Sequence, residues 1–182
     1  MKVKLKNVRL AFPQLFVPKA INGEGEPRFS ASFLLEKGSE NIKALENAIE
    51  QAAQEKWGAK TAAIMTSIKA KNHLCLRDGA EKAEYEGFDG KMYVSASNKG
   101  KPKVFDRDGA TELAQQDGKP YGGCYVNAVI DIWAQDNNFG KRINASLMGL
   151  QFVRDGDAFA GGGVASADDF DDLGVAEVED LG

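Results

Sequence analysis

The sequence predicts a mainly β protein: a small antiparallel barrel with one main α-helix, followed by an acidic C-terminal tail. Three observations lead there. Alternating apolar residues recur in five or six runs separated by Gly-rich and polar turns. One segment keeps a convincing helical period. The last 28 residues contain nine acids and no base.

Residues 3–12 alternate, but the apolar parity changes. Val3 and Leu5 are odd, whereas Val8, Leu10 and Phe12 are even. A parity switch inside one strand implies a bulge or a sharp bend. Pro13 is expected to stop the ladder, and residues 22–27 to form a turn. Phe29, Ala31, Phe33 and Leu35 then alternate with Arg28, Ser30 and Ser32, as in a half-buried strand.

The helix is expected from about Glu40 to Trp57, with Ser39 as its N-cap. Ile42, Leu45, Ile49, Ala52, Ala53 and Trp57 follow helical spacing, and Gly58 ends the run. Residues 59–72 are Ala-rich and ambiguous. The second half reads as strands at 73–77, 91–97, 101–105, 124–134 and 141–153. Residues 106–118 are turn-rich, with a short helical turn near 112–116. Helices for repeated βαβ crossovers are missing, which disfavours a parallel sheet. An OB-type barrel is one architecture that fits such a strand list. Phe12, Phe16 and Phe29 are expected in the core.

The net charge of −4 conceals an asymmetry. All 23 bases and 18 of the 27 acids lie in residues 1–154, a formal charge of +5. Residues 155–182 carry −9. The expected organisation is an OB-like nucleic-acid-binding domain over 1–154 and a flexible acidic tail over 155–182.

Several function classes find no support. No run of about 18 apolar residues suggests a membrane span, and the N-terminus lacks a signal-peptide pattern. Cys75, Cys124 and His73 do not make a metal-ligand set, so no metal or other cofactor is expected. No Gly-rich phosphate loop occurs, and one histidine restricts acid–base or nucleophilic chemistry. The expectation is a binding protein, not an enzyme.

The binding face follows from strand parity. Opposite the apolar residues lie the aromatics Tyr93, Phe105, Tyr125 and Trp133, and the connecting hairpin adds Phe139, all candidates for stacking on bases. Around them fall Lys69, Lys71, Lys91, Lys99, Lys101, Lys103, Lys141 and Arg142, candidates for phosphate contacts. In the tail, Asp168, Asp169, Phe170, Asp171, Asp172, Leu173, Glu179 and Asp180 suit a partner with a basic, apolar pocket. A flexible 28-residue chain spans about 26–32 Å, so the tail can also reach its own domain and compete there with nucleic acid.

The ordered segments resemble a family. Val8-Arg9-Leu10-Ala11-Phe12-Pro13-Gln14-Leu15-Phe16 and Leu74-Cys75-Leu76-Arg77-Asp78-Gly79 match first. Val94-Ser95-Ala96-Ser97, Lys101-Pro102-Lys103-Val104 and Tyr121-Gly122-Gly123-Cys124-Tyr125-Val126 follow. Gly149-Leu150-Gln151-Phe152-Val153-Arg154-Asp155-Gly156 closes the series. Together they resemble the tailed-phage single-stranded DNA-binding proteins, a family with a member from an Enterobacter phage. The resemblance implies an OB fold, single-stranded DNA as partner, and work in replication or recombination in the cytoplasm of a host bacterium. It also implies an acidic tail that recruits other replication or recombination proteins. A homodimer fits such a module. Two other functions fit a small barrel: a protein-interaction or virion-assembly module, and a strand-annealing or duplex-binding protein.

Overall fold

The computed structural model describes residues 1–21 and 24–159. Its first strands are β1 (Lys2–Ile21) and β2 (Glu24–Leu35). The helices α1 (Glu40–Trp57) and α2 (Thr61–Ala70) follow. Next come β3 (Leu76–Asp78), β4 (Met92–Asn98), β5 (Lys103–Phe105), β6 (Tyr125–Asn137) and β7 (Gly140–Arg154).

β1 bends where the parity change predicts. Its register with β6 slips between Leu5 and Val8, and Asn7 takes a φ of 51° there. Asn tolerates this left-handed backbone better than most residues. The slip places Val3, Leu5, Val8 and Leu10 all in the core. A second irregularity lies between Ala11 and Gln14, with Phe12 at φ 50°. Pro13 sits inside it and does not end the strand, because the bulged position requires no ladder N–H. The same bulge turns the Phe12 ring outward, leaving it 39% exposed and not in the core as expected. Phe29 is buried, and Phe16 half-buried.

Antiparallel pairing runs β4–β2–β1–β6–β7. A parallel contact between Ser97 of β4 and Ser146 of β7 closes the ring. β3 extends the sheet beside β4, and β5 lies parallel on β7. The result is a closed five-stranded OB barrel, with both helices between its second and third strands. Leu5, Leu10, Phe33, Val94, Ile130, Ile132 and Leu147 fill the interior and have no exposed surface.

α1 packs against β1 and β6 through Ile42, Leu45, Ile49, Ala53 and Trp57. The Ser39 hydroxyl accepts from the Ile42 amide at 3.5 Å. The Trp57 indole donates to the Asp136 carboxylate at 2.9 Å, tying the helix end to β6. The ambiguous stretch resolves into a 3-10 turn, Gly58–Lys60, and α2.

A satellite core lies outside the barrel. Ala11, Leu34, Phe88 and Tyr93 are buried together beneath the segment that follows β3, with Phe159 against them. That last contact belongs to a strap, residues 155–159. Tyr121 Oη donates to the Asp155 carboxylate at 2.8 Å, and the Phe159 amide donates to the Gly122 carbonyl at 3.1 Å. Arg9 Nη2 donates to the Asp157 carbonyl at 2.7 Å, and its guanidinium lies 4.2 Å from the centre of the Phe159 ring. Gly123 is required here: its φ is +110°, and a Cβ would stand 2.1 Å from the Asp157 carbonyl oxygen. The packed unit thus reaches Phe159, five residues past the boundary expected at Arg154. The tail positions from Asp168 to Asp180 lie outside the described residues. No helix among the described residues is long and apolar enough to cross a membrane.

Truncating a barrel side chain tests the core. Ile130→Ala should lower unfolding free energy by about 2–5 kcal/mol, measured by urea denaturation.

Candidate nucleic-acid interface

The outward parity of four barrel strands converges on one groove. β2 contributes Arg28, β4 contributes Ser95 and Ser97, β6 contributes Trp133 and Gln135, and β7 contributes Arg142, Asn144 and Ser146. Cross-strand register brings Ser30 beside Ser97, Trp133 beside Asn144, and Gln135 beside Arg142. The segment leading into β3 adds His73 and Cys75, and β3 itself adds Arg77. The groove has a volume of about 290 Å³. Three arginines line it and no carboxylate does.

Hydrogen bonds set the groove's inner surface. The Trp133 indole donates to the Ser146 hydroxyl at 3.1 Å, which holds the ring at the groove while 41% of the residue stays exposed. Asn144 donates to Gln135 at 2.8 Å. Ser32 and Ser95 share a hydroxyl hydrogen bond of 2.9 Å. Arg77 is steadied by the Leu74 carbonyl at 3.0 Å and by the Asn72 carbonyl. Arg142 has no ion pair among the described residues.

The basic character continues past His73, which also borders a second hollow holding Lys71 and Lys141. Lys141 lies 3.8 Å from Asp136. Phe139 stands at the β6–β7 turn, 86% exposed. Of the residues expected from sequence, then, Trp133 and Arg142 line the groove, and Lys71 and Lys141 border the adjoining hollow. Phe139 projects from the hairpin that carries Trp133 and Arg142.

The remaining candidates lie elsewhere. Tyr93 is a correction: it is 2% exposed, with Phe88 edge-on at 5.3 Å, so its ring offers no face to a base. Burial raises its phenol pKa. Tyr125 is covered by the Arg154 guanidinium, 3.6 Å from the ring centre, and shares a different hollow with Lys91. Phe105 borders a third hollow beside Lys4 and Lys6. Lys69 faces Glu46, Glu50, Asp78 and Glu81 across a hollow unsuited to phosphate. Lys91 pairs with Glu36, Lys99 with Glu26 at 2.8 Å, and Lys103 with Glu112 at 3.1 Å. The Lys101 ammonium lies 5.8 Å from the centre of the Phe16 ring.

Arg28 and Arg77 are absent from the sequence-derived set. Arg28 shares the parity of Ser30 and Ser32, so strand alternation could have identified it. Arg77 sits on a three-residue strand beside a turn, where parity carries little signal. Desolvation raises the Cys75 thiol to about 12 and the Cys124 thiol to about 11, which leaves both protonated and weakly nucleophilic.

Comparison with known proteins converges on one group. The family model for the single-stranded DNA-binding protein of Enterobacter phage Enc34 matches residues 1–181. The p50 protein of Acyrthosiphon pisum secondary endosymbiont phage 1 is 51% identical over 184 residues, covering 100% of this chain and 98% of that protein. The Enc34 protein solved in complex with single-stranded DNA is 30% identical, with a TM-score of 0.74. That match covers 87% of this chain and 89% of the other. The Enc34 protein solved without a stated ligand gives 28% identity and a TM-score of 0.69, covering 93% and 90%.

The site geometry predicts two solvent-access results. Acrylamide should quench Trp133 and spare Trp57, which is 9% exposed, so Trp133→Phe should remove most of the quenchable emission. A thiol reagent at pH 8 should label Cys75 and Cys124 slowly in native protein and rapidly in denaturant.

Proposed function

Because the chain belongs to the Enterobacter phage Enc34 single-stranded DNA-binding protein family, we propose that it binds single-stranded DNA along the Trp133–Arg142 groove without sequence preference. One observation carries this reading: an aromatic ring and three arginines line a groove with no acid in its lining. A base stacks on Trp133, and Phe139 at the hairpin tip offers a second ring. Arg28, Arg77 and Arg142, with Lys71 and Lys141 beyond His73, take successive phosphates. The small Ser95, Ser97 and Ser146 leave room for the sugar–phosphate chain. Stacking and phosphate contacts act on any sequence, since every base has a π-face and every nucleotide a phosphate.

In the cell, this activity protects exposed strands during phage DNA replication or recombination in the host cytoplasm. The acidic segment around Asp168–Leu173 and Glu179–Asp180 recruits proteins that present basic, apolar pockets. Binding is the whole activity, consistent with a family described by DNA binding and not by catalysis.

Fluorescence titration with oligo-dT tests the proposal. Trp133→Ala should weaken binding by about 5- to 150-fold, corresponding to ~1–3 kcal/mol per stacked base. With about five phosphates neutralised, log affinity should fall against log salt with a slope near −3.5. Arg142→Ala should make that slope shallower by about 0.7. Absence of oligo-dT binding would favour the protein-interaction or virion-assembly module. Equal affinity for duplex in direct competition would favour the annealing or duplex-binding reading.

A further inference from the structure

A hollow away from the groove has the chemistry to hold an acidic, partly apolar peptide. It measures about 330 Å³ and lies on the outer face of β1, β6, β7 and β5. Lys4 pairs across to Val129, Asn127 to Gln151, and Gln151 to Phe105, so these residues span neighbouring strands. Lys6 borders the same hollow, and no lining residue is acidic.

Its amide groups are already engaged. Asn127 donates to Gln151 at 3.1 Å and accepts from the Asn7 amide at 2.9 Å. Gln151 donates to the Arg107 carbonyl at 2.9 Å. The open surface is therefore Phe105, Val129 and two ammonium groups. Neither Lys4 nor Lys6 has an ion pair among the described residues. Acids of the neighbouring turn are occupied: Asp106 with Lys119 at 3.4 Å, Glu112 with Lys103 at 3.1 Å, and Asp108 with Thr111.

We propose that this hollow docks the segment Asp168–Leu173 of the same chain. Phe170 and Leu173 would cover Phe105 and Val129, with the aspartates against Lys4 and Lys6. Charge complementarity is one support, since the segment Asp-Asp-Phe-Asp-Asp-Leu carries four acids around two apolar side chains. Chain geometry is the other. The described chain ends at Phe159 against Arg9, on the strand that carries Lys4 and Lys6. Three to five residues of strand separate these lysines from Arg9, roughly 10–17 Å. A flexible chain of eleven residues, the separation of Phe159 and Phe170 in sequence, would span about 17–20 Å. The hollow is therefore within reach of the segment. The inference does not depend on what the groove binds.

Amide NMR of the full ¹⁵N-labelled chain tests it. Phe170→Ala with Leu173→Ala should move the resonances of Lys4, Lys6, Val129 and Gln151. It should leave Ser97, Asn144 and the Trp133 indole in place. Lys4→Glu with Lys6→Glu should abolish the response to the tail substitutions. Tail-dependent shifts confined to Ser97, Asn144 and Trp133 would overturn the proposal and put the segment in the groove. No barrel shift at all would also overturn it. An oligo-dT titration of the same sample keeps the two readings apart. Failure to move Trp133 or Asn144 would sink DNA binding in the groove without touching the docking result.

Discussion

The barrel closes at one parallel contact, between Ser97 of β4 and Ser146 of β7, and the groove exists because of that seam. Closure removes two sheet edges and assigns every strand an inner and an outer parity. The inner parity is aliphatic and tightly filled. The outer parity at the seam is small and polar: Ser95, Ser97, Asn144 and Ser146. Large residues at those positions would fill the groove. Ser146 has a second role, since its hydroxyl accepts the Trp133 indole N–H. One short side chain thus sits at the closure and also positions the aromatic ring.

Much of this was legible from alternation alone. The even face of residues 124–134 became the interior side of β6, and the parity change in β1 became a register slip at Asn7. Parity also placed Trp133, Gln135, Arg142 and Asn144 together. It failed where a barrel exterior is not solvent. Tyr93 has the outward parity of Ser95, yet Phe88 lies over it and makes a satellite core. Alternation distinguishes two faces of a strand but says nothing of what a later loop lays on either. Phe12 failed for the opposite reason. Its bulge inserts a residue that belongs to neither parity, and its ring turns outward.

Charge was legible in bulk and not in detail. The sequence distinguishes a basic domain from an acidic tail but cannot pair individual groups. Lys91, Lys99 and Lys103 are partnered by Glu36, Glu26 and Glu112, which are remote or on other elements. These exposed pairs contribute little stability and are screened by salt. Their effect is to flatten the potential locally, so that the groove stands out by setting three arginines and an aromatic ring in a lining without acids. That distinction emerges only once strands far apart in sequence are side by side.

The strap turns the acidic composition of the C-terminus into geometry. An untethered acidic chain is a diffuse screening cloud that acts on every basic surface within its span. Arg9 fixes the point from which the acidic segment leaves the barrel, by holding the Asp157 carbonyl and covering Phe159. The folded unit then includes Asp155 and Asp157 and carries +3, while residues 160–182 carry −7. Those seven charges start from a fixed point on one side of the barrel. From there, both the Lys4–Lys6 hollow and the near edge of the groove at Ser95 are within reach of a short chain, and closure cost grows only with the logarithm of length. The selectivity must therefore come from contacts. Phe105 and Val129 offer an apolar surface to a peptide carrying Phe170 and Leu173, which the polar floor of the groove does not match.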